Sequence, residues 1–298
     1  MRHWCSVVPL YNFRSDIREA IEFSHGLSLS PMPEWVAKDS MTQRLGERDR
    51  HWLSVARIAF IIKYQAGALG EPDPEWTGSR PHSIQDRARD LAVLANFALW
   101  LARPSTVGFD LAFHAPLFDD GWDVQRIETG IPILLCHPQD VDNDLTIEDI
   151  RRASTLHACL AELPLESALW TATRASWAAL QMNIEPIRHL LFWIALEAVF
   201  GPEDAREMTF RLAQRIALFL RADRAAAIGL FAEAKKAYGF RSKAAHGRWS
   251  EDPKGLEFVA LVEGLVRESF TRILGDSALL ERLCGKDREE YLDSLAFS

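Results

Sequence analysis

The spacing of apolar positions changes character near the middle of this chain. In the first half, Val107, Phe109, Leu111 and Phe113 alternate strictly, which predicts a half-buried strand. The stretch from Trp52 to Tyr64 carries two patterns. Its β-branched and aromatic content suits a strand, while Trp52, Val55, Ala56, Ala59 and Phe60 also fit a helical stripe. An amphipathic helix starts near Ser83, with Ile84, Ala88, Leu91, Ala95 and Ala98 on one face and Pro104 at its exit. Residues 70–81 read as a loop, and Ile131 to Cys136 as a last strand. Thr146, with Glu148 and Asp149 in the first turn, opens a helix that runs to about Glu162.

Pro164 marks a boundary, and beyond it the pattern is helical throughout. Leu165, Leu169, Ala172, Ala179 and Leu180 form one stripe. A second helix, after Asn183 and Pro186, carries Ile187, Leu190, Leu191, Ile194 and Ala198 on one face. Phe192, Leu196 and Val199 make its far side apolar too, so burial all round is expected, with Gly201 at C′. Pro202, Glu203 and Asp204 are expected to open a third helix running to about Arg221. A fourth spans Arg224 to Tyr238, a fifth follows Gly239, and a sixth covers about Glu257 to Leu274. The fold class is therefore α+β, with a mixed α/β domain over 1–163 and a helical bundle over 164–298.

Composition adds constraints. The 298 residues are 48% hydrophobic and 26% charged, the profile of a globular protein with a core of useful size. A net charge of −8 means that any polyanion must be held by a local basic surface. Cys5, Cys136, Cys159 and Cys284 lack zinc-knuckle spacing and do not suggest a disulfide framework. Leu91 to Ala102 is too short to span a bilayer, and Met1 to Leu10 has no signal-peptide h-region. A cytoplasmic protein without membrane contact is expected.

Chemistry is carried by Gly239-Phe-Arg-Ser-Lys-Ala-Ala-His-Gly247, in which Arg241 and His246 form an Arg-x4-His pair. Arg152 and His157 repeat that spacing, so the spacing alone selects neither pair. Context separates them. Upstream of Arg241 stand Trp193-Ile-Ala-Leu-Glu-Ala-Val-Phe-Gly201 and Phe210-Arg-Leu-Ala-Gln-Arg-Ile-Ala-Leu-Phe-Leu220, and the third block is Ala237-Tyr-Gly-Phe-Arg-Ser-Lys-Ala-Ala-His-Gly247. In order and spacing these three blocks resemble the HEPN superfamily, in particular the ApeA-like HEPN proteins of bacterial conflict systems. The helical pattern extends the resemblance from Leu165 to Leu274.

That resemblance implies an all-α HEPN bundle and a metal-independent ribonuclease with an R-x4-6-H motif, paired across a homodimer. It implies RNA as substrate, no cofactor, no metal, and a role in bacterial defence or a toxin system. Arg241 and His246 would be the catalytic pair. Ser242 stands where the family often has Asn, Asp or His. The N-terminal half would select targets, sense a trigger or take a regulatory partner.

The residue types suit that chemistry. A histidine can take the 2′-OH proton or protonate the leaving 5′-oxygen, and a guanidinium can clamp the charged phosphate. Five residues on a helix rotate by about 140°, so one chain sets Arg241 and His246 on different faces and a two-fold dimer would reunite them. Lys236, Lys243 and Arg248, together with Lys235, make a local basic run for substrate phosphates. Glu197 is the one formally charged side chain between His189 and Gly201. Its expected role is a structural pair with Arg211 or Arg215, and the alternative is a group that positions Arg241.

Other readings compete. The same motif describes a solvated basic helix capped by His246 beside Gly247. A module that binds nucleotide, RNA or protein without cutting is the main alternative, and a purely structural assembly protein is the third. Tyr238 and Phe240 read as core rather than as stacking platforms. Asp140, Asp142 and Asp144 imitate a calcium loop, but Leu145 and Arg151 replace its Gly and Glu. Cys136, His137, His157 and Cys159 match no zinc pattern. Phosphate-binding and esterase glycine motifs are lacking.

Overall fold

A computed structural model describes residues 2–66, 83–119, 121–133, 135, 143–204, 206–249 and 253–297. An antiparallel sheet with helices is followed by an all-helical region, so the fold is α+β as the hydrophobic pattern predicts. The chain divides into two compact units at Glu162/Leu163.

The first unit is built on strands β1 (Arg2–Pro9), β2 (Ile21–Glu22), β3 (Leu27–Pro31), β4 (Ile58–Ala66), β5 (Phe109–Phe118), β6 (Gly121–Trp122) and β7 (Arg126–Ile133). Its helices are α1 (Glu34–Lys38), α2 (Glu47–Val55), α3 (Ile84–Ala102) and α4 (Ile147–Ala161). The strand order is β2-β3-β4-β1-β5-β6, with β7 also pairing β5. One sheet face, carrying Cys5, Val7, Ala59, Leu111 and Phe113, packs on Val36 of α1 and Leu53 of α2. Helix α3 lies against β1 and β4 and packs on α4.

Residues 52–64 hold both patterns because both elements are there. Trp52 and Val55 end α2, and Ala59 and Phe60 belong to β4. Strand β5 is not half-buried, since Asp110 and His114 are buried as well as Phe109, Leu111 and Phe113. Alternation in the sequence reports side-chain polarity, whereas burial depends on what covers each face. Ser83 and Asp86 close a capping box on α3, and Thr146 and Asp149 close another on α4. The expected last strand begins earlier, at Arg126. The expected loop at 70–81 lies outside the described residues, as do Cys136, His137, Asp140 and Asp142.

The second unit comprises α5 (Ala168–Leu180), α6 (Glu185–Phe200), α7 (Met208–Leu220), α8 (Arg224–Ala245), α9 (Pro253–Leu274), α10 (Ser277–Cys284) and α11 (Arg288–Ser294). Helix α6 is the hub, packing on α5, α8 and α9. Its burial is one-sided: Phe192, Trp193, Leu196 and Phe200 are core, while Ile187 and Ile194 are each 41% exposed. The all-round burial expected for this helix is therefore corrected. Gly201 is not a left-handed C′ residue either, with φ −62°. It is needed because a Cβ there would sit 2.3 Å from the Glu197 carbonyl oxygen. Arg288 Nη1 donates to the carbonyls of Ala198, Val199 and Gly201, satisfying the open end of α6.

Two helix boundaries also differ from expectation. Helix α7 starts at Met208, after Glu207 in the left-handed region at φ 52°, rather than at Pro202. The expected fourth and fifth helices are one, because α8 runs unbroken through Gly239. A buried ion pair, Arg188 Nη2 to Glu263 Oε2 at 2.7 Å, joins α6 to α9.

Candidate active site on the basic helix

Helix α8 presents the motif. The Asp223 side chain accepts from Ala226 N at 2.8 Å to start it, and an alanine-rich stretch follows. It ends in a Schellman motif: Gly247 N–H donates to Ala244 O (3.2 Å) and Arg248 N–H to Lys243 O (2.8 Å). Gly247 supplies the required positive φ, 65°. His246 is the cap residue of this motif, so its backbone is fixed while its side chain stands exposed.

Arg241 turns the other way, toward α6. Its Nη2 donates to Glu197 Oε2 at 3.1 Å, and its Nε lies 2.7 Å from Oε1. Nε and Oε1 are close without an aligned hydrogen bond, so the short approach is chiefly charge attraction. The two side chains keep 29% and 22% of their exposure, although Nε and Oε1 themselves are buried, so solvent reaches other parts of the two side chains. The guanidinium carbon lies 5.3 Å from the Tyr238 ring centroid. Burial, then the Glu197 carboxylate, push the Tyr238 phenol up to about 12, and Arg241 opposes the shift.

Arg211 and Arg215 do not reach Glu197, contrary to the expected pairing. Arg215 Nη2 donates to Glu289 Oε1 and Asp293 Oδ1, each at 2.6 Å, and Arg211 Nη2 donates to the same two residues at 3.3 Å. Both arginines therefore hold α11 on α7. Burial works to raise the Glu289 carboxyl, but Arg215 outweighs it and holds Glu289 below the usual carboxylate range; Arg215, with Arg211, does the same at Asp293 against burial. The displaced partner has a simple cause, since α11 lay outside the helices expected from the sequence.

Lys236, Lys243 and Arg248 are exposed, and Lys243 Nζ sits 4.2 Å from the Phe240 ring centroid. By helical periodicity Lys235, Gly239, Ser242, Lys243 and His246 share a side of α8, and Arg241 falls outside it. The structure thus gathers a histidine and lysines on one side of α8, and an oriented arginine on another.

Two buried histidines clarify which residues are available. His157, in the second Arg-x4-His pair, is fully buried, and its Nδ1 is 2.9 Å from Ser24 Oγ. Burial pushes its pKa down to about 4, so it is a core group. His189 was not singled out by sequence reasoning, because it sits within the apolar face of α6. Trp193 Nε1 donates to its Nε2 at 2.9 Å, and the Ala237 carbonyl lies 3.1 Å from that nitrogen. Its pKa also falls to about 4, through burial first and the Arg241 charge in the same direction. Neither imidazole is placed for proton exchange with a substrate.

Among the described residues, no group of three or more His, Cys, Asp or Glu side chains is placed to hold a metal ion, and no helix is long and apolar enough to cross a membrane. Cys5 and Cys284 are free thiols. No family model, no curated protein and no solved structure matches this chain.

Proposed function

We propose that the chain is a metal-independent endoribonuclease of the HEPN type, acting as a homodimer in bacterial defence or a toxin system. One observation carries the reading: a single helix offers an oriented, solvent-reachable Arg241 and an exposed His246 beside lysines, while the other Arg-x4-His pair has its histidine in the core. The resemblance of the three sequence blocks to HEPN proteins supplies the reaction class. The divergence of Arg241 and His246 on α8 supports a second copy as part of the machinery.

In this reaction His246 of one copy takes the 2′-OH proton, and the 2′-oxygen attacks the adjacent phosphorus. The P–O5′ bond breaks, and His246 of the second copy protonates the leaving oxygen. Arg241 stabilises the pentavalent phosphorane with charge-assisted hydrogen bonds. Products carry 2′,3′-cyclic phosphate and 5′-hydroxyl ends, and DNA is inert because it has no 2′-OH.

The test is cleavage of single-stranded RNA in excess EDTA. Wild type should cut to cyclic-phosphate ends, and His246→Ala and Arg241→Ala should each lose about 100-fold or more in rate while remaining folded. Cutting that survives His246→Ala would sink the assignment.

A second reading is favoured by the Glu197 contact, which neutralises much of the Arg241 charge before any substrate arrives. In that reading the same surface binds RNA, nucleotide or a protein partner without cutting. RNA affinity that depends on Lys243 and Arg248, with no cleavage by wild type, would establish it.

A further inference from the structure

The sequence places Tyr238 among core aromatics, but its surroundings say more. Helices α6 and α8 each contribute two residues about one turn apart: Trp193 and Glu197 from one, Tyr238 and Arg241 from the other. Trp193 is fully buried and tied to His189 through its indole N–H. The Tyr238 ring stands edge-on to Trp193, with centroids 4.9 Å apart and an interplanar angle of 87°. Arg241 then lies against the Tyr238 ring, and Glu197 meets it from α6.

We propose that Tyr238 is a positioning residue for Arg241, forming with Glu197 a two-sided cradle that presents one edge of the guanidinium to a phosphate. The catalytic part of this inference rests on the ribonuclease reading, and the cradle itself rests on geometry.

A guanidinium has two edges able to make paired hydrogen bonds, Nε with Nη2 and Nη1 with Nη2. Glu197 occupies the first, through one hydrogen bond from Nη2 at 3.1 Å and a 2.7 Å charge contact at Nε. Among the described residues nothing else holds the Nη1 end of Arg241. A carboxylate alone would leave the planar group free to swing about the shared edge. An aromatic face on one side removes that freedom, because tilting away loses the cation–π attraction. The anchor is rigid, since Tyr238 backs on Trp193 in the core. Phosphate can therefore be met by a preset pair of donors, which is where binding energy serves a transition state best.

The cradle is tested by exchange of the Arg241 Nε–H, read by nitrogen-15 NMR and assigned by its disappearance in Arg241→Lys. Wild type should exchange about tenfold or more slower than Arg206, whose side chain is 90% exposed. Tyr238→Leu and Glu197→Gln should each remove most of that protection, and Tyr238→Phe, which keeps the ring, should retain it. Should the leucine variant fail to fold, Glu197→Gln and Tyr238→Phe carry the test. In the EDTA cleavage assay Tyr238→Leu should lower kcat about tenfold with KM changed less than about twofold, and Tyr238→Phe should restore most of the loss. Wild-type exchange as fast as that of Arg206, or protection unchanged in Glu197→Gln, would overturn the cradle. Normal protection with no RNA cleavage by wild type keeps the cradle and removes the nuclease reading.

Discussion

His157 in the first unit and His189 in the second are both buried neutral, with pKa values pushed down to about 4. In the unfolded chain each returns toward the ordinary value of 6.5, so the unfolded state binds protons first as pH falls. Their contribution to stability is complete above about pH 6.5 and is lost as pH falls through about 4. The upper figure is about 3 kcal/mol for each. Urea unfolding at a series of pH values should show this decline, and His157→Gln and His189→Gln should each flatten part of it. A slope between pH 6.5 and 4.5 that neither variant changes would refute the assignment. His246, exposed at the end of α8, belongs to a different class of histidine, and sequence spacing alone could not separate it from His157.

At the scale of the element, α8 shows how a local breaker yields to a long helix. Gly239 invites a break in the sequence, yet its φ and ψ are helical and a Cβ there would meet nothing within 4 Å. Gly239→Ala should therefore stabilise the protein by about 0.5–1 kcal/mol, seen as a higher melting temperature. Gly201→Ala should do the reverse, because its Cβ would collide with the Glu197 carbonyl oxygen. A lower melting temperature for Gly239→Ala would show that the open position serves something other than the helix. Starts and stops with their own chemistry were legible in advance: Ser83 and Thr146 begin helices by capping boxes, and Gly247 ends α8 by its positive φ. The start of α7 was not, since acidic residues after Pro202 resemble a first turn that the chain postpones to Met208.

For the whole molecule, the proposed homodimer needs a surface. Helix α6 leaves Ile187 and Ile194 each 41% exposed at helical spacing on one side, and its N-cap residue Ile184 is 50% exposed. Analytical ultracentrifugation should find a dimer that Ile187→Glu with Ile194→Glu converts to monomer, with loss of RNA cleavage. A monomeric wild type at tens of micromolar, on mass-action grounds, would count against the dimer and against the mechanism that uses it. The sequence by itself determined the α+β class, most of the helices, and the position of Arg241 and His246 on a basic helix inside an acidic chain. Those follow from short-range rules, namely hydrophobic period, capping chemistry and charge order, which act within a few residues. Only the tertiary structure decided that Glu197 meets Arg241 while Arg211 and Arg215 hold α11, and that Tyr238 lies against the guanidinium. Partners 44 residues apart, as Glu197 and Arg241 are, meet only when packed helices set which faces touch, and that packing is decided by the whole core at once.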